Sequence, residues 1–151
     1  MSSGTKYWNL VKTVWDEISI YEREKVFLAQ YESAPNAARL LFAAHWCQSE
    51  VRNGGFKQFF MNSTGVLAPE AIEAFQKIDM PKLAQVIQDA VSLLGSPYPR
   101  AKSVRARILR GSIKVEISAK LEALEDDFFR YLAAENGGFE NAADLFATAN
   151  G

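Results

Sequence analysis

The side chains able to carry chemistry are few. The chain has one histidine, His45, and one cysteine, Cys47, two positions apart. On a helix they point to different faces and cannot act as base and nucleophile. Cys47 falls on an apolar stripe, where a thiol packs as a small hydrophobe. A single histidine excludes a multi-histidine metal centre, and a single cysteine excludes an internal disulfide framework. Glu125-Asp126-Asp127 gathers three carboxylates, but adjacent residues fan outward around a helix instead of converging on one cation. No glycine-rich loop follows a strand, so no phosphate cradle is visible. No catalytic residue, metal or cofactor is expected.

The densest run of special residues extends from Glu50 to Gly65: Glu50-Val51-Arg52-Asn53-Gly54-Gly55-Phe56-Lys57-Gln58-Phe59-Phe60-Met61-Asn62-Ser63-Thr64-Gly65. Gly54 and Gly55 permit a tight reversal. Phe56, Phe59 and Phe60 supply apolar anchors, and Asn53, Gln58, Asn62 and Ser63 can cap neighbouring helix ends. Gln58 and Asn62 are four apart, so on a helix they can meet or reach the same third group. A buried amide pair of this kind serves either architecture or a pocket. In the pocket reading, Glu50, Gln58, Asn62 and His45 take a small ligand.

Charge is split along the chain. Arg100, Lys102, Arg105, Arg107, Arg110 and Lys114 are six bases with no acid between them, whereas from Glu116 onward eight acids face only Lys120 and Arg130. The basic stretch is either a solvated face paired with the acidic helix or a surface that tracks phosphates. The acidic stretch offers a partner face at Glu116, Glu122, Glu125, Asp126 and Asp127.

These residues must be positioned by helices. Trp8, Val11, Trp15 and Ile18 form one stripe, and Tyr21 to Tyr31 continues the pattern up to Pro35. Leu40, Leu41, Ala44, Cys47 and Val51 predict a third helix from about Pro35 to Arg52, stopped at Asn53-Gly54-Gly55. Phe56 to Phe60 is a short helix at most. Pro69 and Pro81 each open another helix, the second ending at Gly95. Ser96-Pro97-Tyr98-Pro99 is a loop. Leu121, Leu124, Phe128 and Tyr131 mark a late helix ended by Gly137-Gly138, and Ala142 to Ala149 a final short one. Ile113-Lys114-Val115-Glu116-Ile117-Ser118 alternates like a strand, yet no second strand exists to pair with it. The expectation is all-α, a single compact multi-helix domain over residues 1–151 with about seven helices and no sheet.

Composition agrees with a globular chain. The 151 residues are 48% hydrophobic and 23% charged, with a formal charge of −1. A chain of this length buries roughly 70% of its extended surface around one core. Met1-Ser2-Ser3-Gly4-Thr5-Lys6 lacks the basic and apolar regions of a signal peptide, and the longest apolar stretch, Ala37 to Trp46, is interrupted by Arg39. A cytoplasmic location is expected, with no membrane partner.

The segment Glu50 to Gly65 resembles the signature of the DNA-mimic-protein-like family, small bacterial domains long catalogued as of unknown function. The resemblance continues through Leu67-Ala68-Pro69-Glu70-Ala71-Ile72-Glu73-Ala74-Phe75 and again at Leu121-Glu122-Ala123-Leu124-Glu125-Asp126-Asp127-Phe128-Phe129, covering about residues 33–134. It implies an all-helical fold, no catalytic activity, and a dimer that binds another protein. The namesake activity is occupation of a DNA-binding regulator by carboxylates spaced like phosphates, which requires dense negative charge. A net charge of −1 and six bases between Arg100 and Lys114 depart from that requirement. The expected function is a protein-binding module; nucleic-acid binding through the basic stretch and small-ligand binding at the signature are the alternatives.

Overall fold

The computed structural model describes residues 3–111 and 114–151. Among them there are eight α-helices and no strand: α1 Thr5–Lys12, α2 Glu24–Ser33, α3 Asn36–Met61, α4 Ala68–Lys77, α5 Pro81–Ser92, α6 Lys102–Arg110, α7 Lys114–Ala134 and α8 Phe139–Asn150. Two 3₁₀ turns, Ser63–Leu67 and Glu135–Gly137, join α3 to α4 and α7 to α8. The fold is all-α as expected, with one helix more than the expected count. Lys114 to Ser118 is helical; Ile113, the other end of the alternating stretch, lies outside the described residues.

Two differences from the predicted elements fall in the first two helices. The first stripe forms a helix only to Lys12, and Thr13 to Glu17 are turns. Thr13 Oγ1 donates to the Leu10 carbonyl at 2.7 Å, and Val14 and Trp15 bond to carbonyls three residues back, so the helix tightens and stops. Val14 and Ile18 are nevertheless core residues. The second helix starts at Glu24 instead of Tyr21. At Gly54-Gly55 the backbone leaves helical geometry as expected: Gly54 has φ −154° and Gly55 φ +76°, and a second, short helical segment beyond them completes α3 to Met61.

α3 is the centre of the molecule, packing against α1, α4, α6, α7 and α8. Leu40, Leu41, Phe42, Cys47, Val51, Phe56, Phe59 and Phe60 are all buried along it. Phe56 meets Phe128 of α7 edge to face at 5.3 Å, and stacks with Phe60 at 5.8 Å. Such ring contacts contribute about 0.5–1.5 kcal/mol beyond area burial.

Helix ends are closed from a distance. None of α1, α2, α3, α4, α5, α6 or α8 has a hydrogen bond from its own N-cap side chain. Instead, Asp144 of α8 accepts from Gly4 N at 2.7 Å and Tyr7 N at 2.9 Å, closing the start of α1. Glu135 accepts from Lys82 N and Leu83 N at 2.8 and 2.9 Å, closing the start of α5. At C-terminal ends, Asn136 Nδ2 donates to the Ile78 carbonyl after α4, and Arg39 Nη1 to the Glu32 carbonyl of α2. Each bond satisfies a group that the helix itself leaves open, an effect of about 0.5–2 kcal/mol per cap. The carboxylates also complement the positive end of the helix dipole.

Candidate functional site

The signature segment is organised around Glu50. This residue is 8% exposed, and its carboxylate receives three donors. Gln58 Nε2 reaches Oε1 at 3.2 Å, while Asn62 Nδ2 and Thr64 Oγ1 reach Oε2 at 2.7 and 2.9 Å. The third group shared by Gln58 and Asn62 is therefore a buried carboxylate. Asn53 Nδ2 in turn donates to Gln58 Oε1 at 3.1 Å, and Ser63 Oγ donates to the Ile20 carbonyl, tying the 3₁₀ turn to the α1–α2 connection. The network folds the end of α3 back onto its own middle across the Gly54-Gly55 kink.

Asn62 links this carboxylate to a buried cation. Arg105 of α6 is fully buried. Its Nε donates to the Phe60 carbonyl at 2.7 Å, Nη2 to the Asn62 carbonyl at 2.9 Å, and Nη1 to the carbonyls of Pro99 and Arg100. Phe60 and Asn62 end α3, so the guanidinium closes the carbonyls at that helix's negative end. The Tyr98 ring lies 5.8 Å from the guanidinium carbon, and the Tyr98 hydroxyl donates to the Gly65 carbonyl at 2.6 Å. Gly65 is needed here for space: a Cβ would sit 3.2 Å from Arg105 Nε and against the Phe59 carbonyl. Burial pushes the Arg105 pKa down, yet an arginine remains charged under any folding condition.

Arg105 thus corrects the expected basic face. Apolar Leu109 lies four residues on and is also buried, so one side of α6 faces the core and carries the arginine with it. Arg100 is also engaged, pairing with both oxygens of Glu70 at 2.6 and 3.0 Å and donating to the Val66 carbonyl. Lys102, Arg107, Arg110 and Lys114 remain exposed.

The acidic residues divide in the same way. Glu125 Oε2 lies 3.4 Å from Phe56 N, at the first free amide beyond the kink. A Cβ on Gly55 would come within 2.7 Å of this carboxylate, in a left-handed conformation that side chains disfavour. Burial raises the Glu125 pKa, with Glu122 and Asp126 adding to the shift and the Phe56 amide opposing it. Asp127 pairs with Arg130 at 2.6 Å on the surface. Glu116, Glu122 and Asp126 are exposed; the second and third lie four apart, on one outward stripe of α7.

A polar trough runs beside α3. One part, about 560 Å³, is lined by Tyr7, His45, Gln48, Ser49, Glu50, Arg52, Asn53, Phe139 and Glu140. The adjoining part, about 440 Å³, shares Gln48, Arg52, Phe139 and Glu140 and adds Phe129, Leu132 and Ala133. Tyr7 Oη and His45 Nδ1 are 3.1 Å apart. Burial lowers the His45 pKa to about 4, so the ring is neutral near pH 7, and burial with Glu140 and Asp144 raises that of Tyr7 to about 12. Trp8, Trp15 and Trp46 pack around the imidazole.

Of the pocket residues named from the sequence, His45 and Glu50 line the same part of the trough, while Gln58 and Asn62 do not line it. Gln58 and Asn62 meet Glu50, whereas His45 belongs to a cluster with Tyr7 and the tryptophans. Cys47 is fully buried and burial raises its pKa, leaving it a packed thiol. The cap carboxylates Glu135 and Asp144, and the trough residues Gln48, Arg52 and Glu140, were not singled out by sequence reasoning. For the two caps the only sequence signal is negative: the helices that Asp144 and Glu135 close start without Ser, Thr, Asp or Asn at the N-cap. No group of three or more potential metal ligands is found among the described residues, and no helix there is long and apolar enough to cross a membrane.

An all-helical frame with a glycine-kinked central helix and a buried carboxylate–amide hub defines the architecture to be compared with known proteins. A family model described as DMP19-like protein matches residues 32–149. The chain belongs to that family, and the match reaches beyond the 33–134 region in which the resemblance was visible. No curated protein and no solved structure matches.

Proposed function

We propose that this chain is a non-catalytic, cytoplasmic protein-binding module that meets a basic partner through the outward carboxylates of α7. One observation carries the reading. Once the helix caps and ion pairs among the described residues are assigned, Glu122 and Asp126, four apart on α7, are left with neither role, while exposed Glu116 lies in the first turn of that helix. An exposed, unpaired acidic stripe costs self-repulsion and contributes no internal bond, so complementarity to a partner accounts for it better than stability does.

Membership of the DMP19-like family extends the proposal to the partner's class, a DNA-binding regulator whose basic surface faces the stripe. The proposal includes residues 1–151 acting as one domain and the dimer that the resemblance implies. The exposed bases of α6 and acids of α7 are complementary surfaces for a second copy.

The test is a tagged pull-down from nuclease-treated native lysate, read by mass spectrometry, with the native chain and the double variant Glu122→Lys/Asp126→Lys. Stoichiometric capture of a DNA-binding protein by the native chain, lost in the variant, is expected. Equal capture by both removes the acidic stripe from the account. A second reading, nucleic-acid binding, rests on Lys102, Arg107, Arg110 and Lys114 being exposed; it predicts steeply salt-dependent affinity for DNA or RNA, and a flat response ends it.

A further inference from the structure

The trough beside α3 combines features that neither helix capping nor the acidic stripe uses. Its floor is polar, buried and held in place. Gln48, 4% exposed, donates from Nε2 to the His45 carbonyl at 3.0 Å and accepts from Arg52 Nη1 at 3.3 Å. Glu50 is locked by its three donors, and Tyr7 is fixed against His45. Side chains restrained in this way give a binding surface that needs little ordering when a ligand arrives.

Two opposite charges stand above that floor. Arg52 and Glu140 line both parts of the trough and form no ion pair with each other. Arg52 makes one long bond to Gln48, leaving most of its planar donor set open, the geometry that receives a carboxylate through two parallel bonds. Glu140, whose carboxylate lies beside Gly4, accepts no hydrogen bond among the described residues and has the complementary requirement, a cationic donor. Beyond them the trough turns apolar, with Phe129, Leu132 and Ala133 along one wall. His45 is neutral near pH 7, so it adds no competing charge.

We infer that the trough is a binding site for a small zwitterion with an apolar substituent, the chemistry of a free hydrophobic α-amino acid. Its carboxylate pairs with Arg52, its ammonium with Glu140, and its side chain enters the wall formed by Phe129, Leu132 and Ala133. The site requires three matched features at once, so removal of any one must weaken binding.

The experiment is ligand-observed NMR and isothermal titration of the full chain with L-leucine and L-phenylalanine. Saturable binding of at least one is expected. N-acetyl-leucine and leucinamide, each lacking one charge, bind at least about tenfold more weakly, the loss expected when a charge-assisted bond is removed. Arg52→Ala and Glu140→Gln reproduce those losses, each cancelling the advantage of the charge it would pair, while Ala133→Trp blocks the apolar end. Urea midpoints unchanged in these surface variants keep the loss attributable to the site. No saturable binding of either amino acid at millimolar concentration overturns the inference. So does binding of the blocked derivatives as tight as that of the free amino acids.

Discussion

Two charged regions of the molecule behave in opposite ways. At the junction of α3 with α6, Glu50 and Arg105 are buried, and every bond they make goes to a neighbouring segment or the end of a helix. On the outer side of α7, Glu122 and Asp126 are exposed and make none. The two lie on the same small protein, and a glutamate occurs in both. The difference lies in whether a complementary group of the chain itself is within reach. Where side-chain donors or open helix-end carbonyls are near, as at Glu50 and Arg105, the charge becomes part of the frame; where none is, it remains available to something outside the chain. Charge counts along the sequence therefore overstate the surface that a partner meets.

The largest effect that would break this comparison is at Arg105. Arg105→Met strands the carbonyls of Phe60 and Asn62 at the end of α3 and is expected to cost about 3–5 kcal/mol in urea unfolding. Arg107→Met on the same helix is expected to stay within about 0.5 kcal/mol, the range of ordinary surface changes. A similar cost at both would erase the distinction between frame and surface.

Glu50→Ala comes next, at about 2–4 kcal/mol, because it orphans the buried Thr64 hydroxyl and removes the acceptor shared by Asn62 and Gln58. Glu50→Gln keeps the shape but replaces an acceptor-only group with an amide that must turn donors toward donors. It is expected to recover part of that loss, and equal stability of the two variants would show that shape alone matters.

His45 gives a pH-dependent test. Its folded pKa, about 4, lies below the ordinary value of 6.5, so the unfolded chain binds the proton more readily. Stability is unaffected above about pH 6.5 and falls as the pH drops from there toward 4, by up to about 3 kcal/mol for this group. His45→Gln is expected to flatten this part of the stability–pH curve; an unchanged slope would place the acid sensitivity elsewhere. Gly55→Ala is the smallest, at about 1–2 kcal/mol, since φ is +76° and the new Cβ approaches the Glu125 carboxylate. The double variant Gly55→Ala/Glu125→Ala should recover the steric part and leave the backbone part.

Much of the frame was legible because apolar spacing reports helices directly. The third helix, the proline-opened α4 and α5, the loop before α6 and the late helix all follow from it, and Gly54-Gly55 marked the break in helical geometry within α3. The site was less legible because its bonds span long distances in sequence. Glu125 reaches Phe56 across 69 positions, Glu135 reaches Leu83 across 52, and Asp144 reaches Tyr7 across 137. No local pattern encodes such a cap. Arg105 was misplaced for a related reason: in a run of six bases, only the register with Leu109 separates the one that turns inward. Thr13 shows the limit at short range, where one hydroxyl bonded to its own helix shortened a stripe that apolar spacing had extended to Ile18.

Backbone amide hydrogen exchange, followed residue by residue by NMR, tests the central claim most directly. First-turn amides have no partner within their own helix and ordinarily exchange fast. The remote caps predict slowed exchange at Tyr7, Lys82 and Leu83, whose amides reach Asp144 and Glu135. Lys102 and Ser103, at the start of α6 without a side-chain cap, should exchange fast, and Glu135→Ala should release Lys82 and Leu83 alone. Equally fast exchange at all five, or no change in Glu135→Ala, would contradict the claim that distant charges close the helix ends.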